Sequence, residues 1–497
     1  MVESCRCHQR APPAPERRRR CAAAEPVSAV VSRKDDPVVD RSPTVGPAPG
    51  RGRGLVLGVT TSVAGKGLGL VAPLVITPVT FGYLGAERYG LWMTVTALAG
   101  MAWFADLGLG DGLLTRLSHH VRGRDEAARE IASAYALLGG VAVLFLAGVG
   151  AASQAVEWAA LFGIRNPTLA GEVSTVILIC FGVFAANIPL SLIHRIQYAE
   201  GRVAQSNAWQ AGAALLSIGV VLVAVATGAG PLTVILCAVA AVPATNLVNT
   251  LVYFTVVDPG LRPRWGRVDL RRSRSLFRLS FQFFLLSAIW SVALNVDNPL
   301  AAQAVGLAQA GGYIVAAKLF AVLGAFVTVI GMATWPAVGA ALARGDVAWV
   351  RATTRRMVLL LAVVFSVTGL LLVTTGKMLL AAWVGAPEVT ALPLAVLGWL
   401  AVWPLLTAVV SPLFMVQCGA GRLGAQFWGW GLFLILSVPL KLVAVTHLGL
   451  SGIPAAGCLA YLLTMWPAAV IGYRRALASA RDDSSDDTRP APVPVPA

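Results

Sequence analysis

Five ionisable side chains lie deep inside long apolar stretches of the sequence, away from the ends of those stretches, and they are the residues best placed for chemistry. They are Lys66, Asp106, Asp297, Lys318 and Lys441. If these stretches cross a membrane, each charge costs about 2.5–3.5 kcal/mol near the bilayer centre, so it is expected to face a partner or water. A lysine ammonium donates three hydrogen bonds and suits a phosphate group or an acidic sugar. The pattern therefore predicts a slightly cationic cavity at membrane depth.

The depths of these charges predict two pairs. Lys66 and Asp106 lie at matching depths in neighbouring stretches. Asp297 and Lys318 form a second candidate pair, and Lys441 lies at a similar depth. A packed ion pair and a cavity lining are both compatible with such a pattern, because a charge at membrane depth is satisfied by either a partner or water. The sequence leaves that choice open.

Twelve apolar stretches of membrane-spanning length position these charges. Bilayer hydrocarbon is about 30 Å thick, so a helix rising about 1.5 Å per residue needs roughly 20 apolar residues to cross it. The predicted spans are 55–79, 91–117, 131–153, 171–193, 204–228, 231–257, 279–302, 311–341, 357–376, 391–416, 425–446 and 451–472. Hydrophobic residues make up 57% of the chain and charged residues only 13%, which excludes an ordinary soluble protein.

The positive charges alternate between the two sides of these spans. Of the 39 Lys and Arg residues, 11 precede Leu55, 22 lie in or at the edge of alternate loops or in the C-terminal tail, three lie in the opposite loops and three lie deep inside spans. Loops rich in Lys and Arg stay in the cytoplasm, so both termini are predicted to be cytoplasmic. The net charge of +15 is spread over many short loops. That spread indicates contact with anionic membrane lipid and argues against a nucleic-acid partner.

The predicted fold is an all-α polytopic membrane protein with two six-helix lobes around a central cavity. Backbone polar groups in lipid must be satisfied internally, and stretches of this length exclude strands. We expect a disordered basic tail rich in Pro, Arg and Ala over 1–54, lobes over 55–257 and 279–473, a basic cytoplasmic linker over 258–278, and a disordered tail over 474–497. The predicted external connections are too short for a further domain, which argues against many enzymes.

Small residues and one proline in the first two spans predict close helix packing or bending. They are Gly65, Gly69 and Pro73 in the first span and Gly108 and Gly110 in the second. Glycine allows the backbones of two membrane helices to approach closely, and proline removes a hydrogen bond from a helix. Ordinary packing and a hinge are both compatible with this pattern.

The two halves of the chain resemble each other. The first contains GYLGAERYGLWMTVTALAGMAW and the second contains VGLAQAGGYIVAAKLFAVLGAF. The spacing from Tyr89 to Asp125 matches that from Tyr313 to Asp346 within three residues. Six spans return a chain to its starting side, so the repeat is predicted to be parallel, with an axis along the membrane normal.

Three strings carry a family resemblance. They are FGYLGAERYGLWMTVTALAGMAWFADLGLGDGLL, NIPLSLIHRIQYAEGRVAQSNAWQ and NVDNPLAAQAVGLAQAGGYIVAAKLF. Over about 55–350 the chain resembles Wzx-type polysaccharide flippases of the multidrug/oligosaccharidyl-lipid/polysaccharide exporter superfamily. The resemblance implies a V-shaped cavity and alternating access. It also implies a polyprenyl-diphosphate-linked oligosaccharide as cargo, moved to the outer leaflet of a bacterial plasma membrane for O-antigen, capsule or exopolysaccharide biosynthesis.

A flippase makes and breaks no covalent bond, so no catalytic residue, cofactor or metal is expected. We predict that the five span charges form the headgroup path. No ATPase motif is present, since AGKG lacks the following Ser or Thr and the upstream spacing of a phosphate-binding loop. Asp106 and Asp297 are therefore candidates for coupling to a proton or sodium ion. A polysaccharide polymerase and a chain-length regulator are candidate protein partners.

Other functions remain open at this point. A drug or metabolite exporter of the same superfamily would have the same fold, although the span lysines favour anions. A membrane glycosyltransferase or polymerase usually needs a sizeable external loop, which this chain lacks. Flippases of lipid-linked peptidoglycan precursors typically have about fourteen spans, against about twelve predicted here.

Overall fold

The structure is a computed structural model that describes the backbone of residues 51–102, 108–119, 123–264, 266, 268, 284–285, 288–289 and 291–486. Within these ranges the side chains of 51–66, 70, 111, 115, 118–119, 325–326, 328–337, 343 and 480–486 lie outside the description. The predicted 1–54 tail lies outside it except for the start of the first helix, and most of the 258–278 linker lies outside it too.

Every long regular element in the described residues is a helix. The helices are α1 Arg51–Met101, α2 Leu109–His119, α3 Arg124–Ala155, α4 Trp158–Leu161, α5 Pro167–Leu190, α6 Leu192–Ala199, α7 Val203–Ala226, α8 Pro231–Val252, α9 Asp297–Val305, α10 Leu307–Ala343, α11 Val347–Trp383, α12 Pro387–Thr390, α13 Leu394–Gly419, α14 Gly424–Leu448 and α15 Gly452–Asp486. A π-helical turn, Tyr253–Val257, extends α8. This confirms the all-α fold class.

Local sequence explains where several of these helices begin and break. The Asn166 side chain accepts a hydrogen bond from the Thr168 backbone N–H at 3.1 Å, with Pro167 at the first position of α5. Gly85 interrupts α1 with φ of 77°, and Gly306 separates α9 from α10 with φ of 84°. Side chains with a Cβ rarely adopt such angles. The same break therefore occurs between the first two spans of each predicted lobe.

The chain is a multi-pass membrane protein. Nine stretches of the described residues are long and apolar enough to cross a bilayer. One of them, Gly67–Met101, contains the break at Gly85, and another, Gly424–Ser479, contains both α14 and α15. Much of the predicted 279–302 span lies outside the described residues. These three facts account for the difference between nine stretches and twelve predicted spans.

Helix contacts divide the described chain into two groups. In the first, α5 packs against α3 and α8, and α7 packs against α8. In the second, α13 packs against α10, α11 and α15, and α14 packs against α15. We call these groups the N-lobe (up to 257) and the C-lobe (from 291). Together they belong to one compact unit, Gly52–Ala497.

The cores of the described residues differ between the two membrane sides. On the predicted external side, one apolar cluster includes Tyr89 and Val234 of the N-lobe and Ala302, Leu307 and Val396 of the C-lobe. On the predicted cytoplasmic side, the two lobes have separate clusters. The N-lobe cluster includes Leu113, Ile131 and Ile193, and the C-lobe cluster includes Val350, Val416 and Leu477. The described lobes thus share a core only externally.

The last helix differs from expectation. The C-terminal lobe was predicted to end at 473, but α15 continues to Asp486. Ala476 and Leu477 of this extension are buried against Val350 and Val416. Apolar burial against α11 and α13 therefore keeps the chain helical where charge and polarity predicted a tail.

Candidate functional site

The N-lobe surrounds a cavity of about 680 Å³, which we call the N-lobe cavity. Its apolar wall includes Ala72, Pro73, Ile76, Trp92, Met93 and Val242. Its polar wall includes Thr77, Thr80, His194, Tyr198, Asn207, Gln210, Ser217, Asn246 and Lys318. Among these described lining residues, Lys318 is the permanent charge. The volume is within the range of about 300–1,000 Å³ that is typical of small-molecule sites.

Lys318 reaches this cavity from the other lobe. It belongs to α10, but its Nζ donates hydrogen bonds to Tyr89 Oη at 2.8 Å and Thr77 Oγ1 at 3.3 Å, both in α1. Met93 Sδ lies 3.3 Å from the same nitrogen, and the Tyr89 ring centroid lies 5.3 Å away. Each of these described partners is uncharged. None of these partners supplies a carboxylate to balance the Lys318 charge, and the side chain bridges the lobes.

A histidine organises the polar wall of the N-lobe cavity. His194 Nδ1 is 2.8 Å from Ser206 Oγ, and Nε2 is 2.8 Å from Asn246 Oδ1. Asn246 Nδ2 donates in turn to Asn187 Oδ1 at 2.9 Å. These bonds join α5, α6, α7 and α8 through neutral groups. A polar network of this kind holds its members in defined orientations.

A second amide pair lies behind this wall. Gln197 Nε2 donates to Asn249 Oδ1 at 2.7 Å, and Asn249 Nδ2 donates to Gln197 Oε1 at 3.2 Å. Both residues have 0% exposure. Since His194 and Tyr198 are four residues apart on α6, they share the face that lines the cavity. The Gln197–Asn249 pair fixes α6 against α8 and so positions that face.

A smaller cavity of about 200 Å³ adjoins the N-lobe cavity on the predicted cytoplasmic side. The two share His194, Tyr198 and Gln210, and the smaller one is also lined by Arg195. The two cavities therefore lie next to each other, and each is lined by one cationic side chain. Arg195 lies towards the cytoplasm and Lys318 lies deeper.

The C-lobe has its own cavity of about 330 Å³, which we call the C-lobe cavity. It is lined by Asp297, Tyr313, Phe320, Trp403 and Lys441, among others. Lys441 Nζ forms an ion pair with Asp297 Oδ1. The Lys441 side chain is 2% exposed and that of Asp297 is 30% exposed. The charges of this cavity are therefore largely neutralised within the protein.

The lobes meet closely on the predicted external side. A Cβ added at Gly90 would overlap the carbonyl group of Leu307, and one added at Gly311 would lie 2.8 Å from the Ala86 carbonyl oxygen. Only glycine permits these approaches. Trp383 Nε1 also donates to the Leu74 carbonyl at 2.8 Å. That carbonyl lacks its usual helical donor because Pro78, four residues later, has no N–H.

The charged residues pair differently in the structure from the way the sequence predicted. The predicted pairing of Asp297 with Lys318 is wrong, because Asp297 pairs with Lys441 and Lys318 contacts Tyr89 and Thr77. Depth along a helix does not specify which neighbour a side chain faces. The predicted Lys66–Asp106 pair lies outside the described residues, since these include neither the Lys66 side chain nor Asp106.

The small residues predicted to pack closely or to bend the helices have different surroundings in the structure. Gly69 and Pro73 line the N-lobe cavity, and a Cβ at Gly69 would meet no atom within 4 Å. The close packing predicted at Gly69 is therefore not observed. Gly108, with φ of 64°, precedes α2, and Gly110 lines the smaller cavity. The surroundings of Gly65 lie outside the description, and a hinge role for these residues stays a prediction.

Sequence reasoning missed the neutral half of the site. His194, Tyr198, Gln210 and Asn246 line the N-lobe cavity but were not among the predicted site residues. Polar side chains within apolar spans were the available signal, because such groups are expensive in lipid and are usually functional. Because these side chains carry no permanent charge, the charge pattern of the spans does not distinguish them.

The chain matches a known protein family. The family model described as polysaccharide biosynthesis protein matches residues 55–342, which is more than half of the chain. No curated protein matches by sequence.

Comparison with solved structures gives the same fold at low sequence identity. A multidrug resistance MATE family transporter of the MOP superfamily, in an inward-facing conformation, is similar with a TM-score of 0.68 and 13% identity, over 85% of this chain and 99% of that one. An outward-facing structure of a multidrug resistance MATE family transporter of the MOP superfamily has a TM-score of 0.54 and 15% identity, over 86% of this chain and 96% of that one. The lipid II flippase MurJ in an inward closed conformation has a TM-score of 0.65 and 10% identity, over 87% and 91%.

Proposed function

We propose that this chain, which belongs to the polysaccharide biosynthesis protein family, is a flippase for a polyprenyl-diphosphate-linked oligosaccharide. It carries the glycan headgroup from the cytoplasmic to the outer leaflet of a bacterial plasma membrane and makes no covalent bond. The observation that carries this proposal is the Lys318 ammonium, which lines a mainly apolar cavity and has uncharged described partners.

The chemistry of Lys318 fits a diphosphate. Two charges about 4 Å apart attract each other by about 4 kcal/mol at an effective dielectric constant of 20, against about 1 kcal/mol in water. A cation placed in a low-dielectric region therefore lowers the free-energy cost of moving a diphosphate through it. Its present partners, Tyr89 and Thr77, are neutral hydrogen-bond acceptors that an anionic oxygen can replace.

The packing of the lobes supports entry from the cytoplasmic leaflet. The lobes share an apolar core externally, while their described cytoplasmic clusters are separate. The smaller cavity with Arg195 lies on that cytoplasmic side. The headgroup enters there, passes His194 and meets Lys318, and separation of the external contacts then releases it outwards.

We also propose ion coupling and protein partners on chemical grounds. Asp297 is paired with Lys441, so proton or sodium coupling through Asp297 would require that pair to open. Coupling through Asp106 remains a proposal for a residue outside the description. A polymerase and a chain-length regulator are proposed partners because a flipped repeat unit must be polymerised to a defined length.

The experiment that tests the function is flipping in liposomes. Purified protein is reconstituted, and a fluorescent polyprenyl diphosphate bearing a short glycan is followed by its accessibility to an impermeant quencher. We expect transbilayer movement well above that in protein-free liposomes. A cationic dye is tested in parallel, because the described N-lobe lining contains no carboxylate and should not favour a cation.

Movement of the dye without movement of the glycolipid would contradict the proposal and favour the drug-exporter alternative. Covalent change of the glycolipid, detected by mass spectrometry, would favour the glycosyltransferase or polymerase alternative.

A further inference from the structure

The polar wall of the N-lobe cavity is neutral along most of its length. Between Arg195 at one end and Lys318 at the other, its described polar groups are amides, hydroxyls and an imidazole. The negative charge of a diphosphate is balanced by cations such as Arg195 and Lys318, and it does not require the neutral groups between them. The neutral groups therefore point to a different part of the cargo.

These groups are held in place before any ligand arrives. His194 is fixed by Ser206 and Asn246, and Gln210 Nε2 donates to Tyr198 Oη at 2.9 Å. Preorganised groups lose little conformational freedom on binding, which favours specific recognition. An amide or hydroxyl can donate and accept more than one hydrogen bond, so these groups retain capacity for a ligand.

We infer that this wall, formed by His194, Tyr198, Gln210, Ser217 and Asn246, is the specificity site for an uncharged sugar attached directly to the diphosphate. The inference rests on the proposed function and deepens it by naming the class of the first sugar. Hydroxyl and acetamido groups of a neutral sugar match neutral donors and acceptors, and the aromatic rings of Tyr198 and Trp92 provide apolar surface. The diphosphate lies towards Lys318.

Gln210 is the residue with which to test this inference. It lies on α7, is exposed, lines the cavity, and donates hydrogen bonds to Tyr198 and Ser206. Truncating it should change recognition with little effect on folding. Gln426 on α14 is a matched control, because it lines neither the N-lobe nor the C-lobe cavity.

The experiment measures binding of two probes to the full-length protein in nanodiscs. One is a short-chain polyprenyl diphosphate, and the other is the same lipid with one N-acetylglucosamine. The ratio of their dissociation constants reports the contribution of the sugar. We expect the sugar to tighten binding by wild-type protein about tenfold, as a few net hydrogen bonds would.

Gln210→Ala should reduce this sugar-dependent ratio about two- to tenfold and leave binding of the bare diphosphate unchanged. Gln426→Ala should leave both values unchanged. Lys318→Met should weaken both probes and keep their ratio. A third probe with glucuronate in place of N-acetylglucosamine should bind more weakly than the neutral glycolipid.

Equal affinity for the two main probes, tighter binding of the glucuronate probe, or an unchanged ratio in Gln210→Ala would overturn the inference while leaving diphosphate binding intact. Failure of every probe to bind would instead contradict the proposed function as well.

Discussion

The two cavities differ in how their charge is balanced. In the C-lobe cavity, Lys441 and Asp297 neutralise each other. In the N-lobe cavity, Lys318 contacts only uncharged groups among the described residues, and it comes from the opposite lobe. A lysine at membrane depth can thus either stabilise the fold through an ion pair or be available to bind an anionic ligand. The charge of its partner distinguishes the two roles.

We infer from this difference that the two lobes have different roles. The ion pair holds α9 and α14 of one lobe together, so its removal should affect folding. The ammonium of Lys318 holds neutral groups that a ligand can replace, so its removal should affect transport.

The largest expected effect concerns the ion pair. Asp297→Ala leaves Lys441, which is 2% exposed, without its carboxylate. We expect a loss of about 2–3 kcal/mol of stability, near the lower end for a broken buried pair because Asp297 itself is partly exposed. Thermal unfolding in detergent should show a clearly lower melting temperature. The Asp297→Asn/Lys441→Met double variant removes both charges, so it should recover most of the lost stability. If the double variant is as unstable as Asp297→Ala, the unpaired Lys441 charge is not the cause of the instability.

The second expected effect concerns the contact that brings Lys318 to the N-lobe. Gly90→Ala places a methyl group against the Leu307 carbonyl, so the external sides of the lobes must separate. In an Ala302→Cys background, in which the introduced cysteine lies in the shared external core, we expect increased thiol labelling. We also expect transport reduced about tenfold or more, because overpacking costs about 1–3 kcal/mol. Gly82→Ala in the same helix is the control, since its Cβ would meet nothing within 4 Å. Similar results for both variants would refute this account of the contact.

The smallest expected effect concerns the resting partner of Lys318. Tyr89→Phe removes the hydroxyl acceptor and keeps the ring beneath the ammonium. Inorganic pyrophosphate should then bind about two- to fivefold more tightly, because it no longer competes with that hydrogen bond. Isothermal titration calorimetry measures this. Tyr83→Phe is the control, since the Tyr83 hydroxyl donates to the Ala229 carbonyl instead. Weaker binding in Tyr89→Phe would mean that the hydroxyl helps to hold the anion.

Much of the fold could be predicted because its causes are local. Apolar length predicts the spans, and the breaks at Gly85 and Gly306 fall between predicted spans where chain direction reverses. The extension of α15 could not be predicted in the same way. Burial of Ala476 and Leu477 depends on α11 and α13, which are distant in sequence.

The site was predictable in kind but not in detail. Lys318 and Lys441 were both expected, from their depth alone, to line one central cavity. They line two separate cavities instead. Their partners depend on the rotation of α10 and α14 about their axes, which hydropathy does not determine. His194 was overlooked because its bonds to Ser206 and Asn246 join three helices, and only the folded chain brings these residues together.

The most direct test of the central claim is the flipping rate of Lys318→Met in liposomes, with protein amount and melting temperature matched to wild type. Lys377→Met is the control, because Lys377 is exposed on α11 and lines neither cavity. Loss of a charged hydrogen bond of about 1.5–3 kcal/mol predicts a flipping rate about 10- to 100-fold lower for Lys318→Met and a normal rate for the control. A normal rate in folded Lys318→Met would contradict the claim that this ammonium carries the diphosphate.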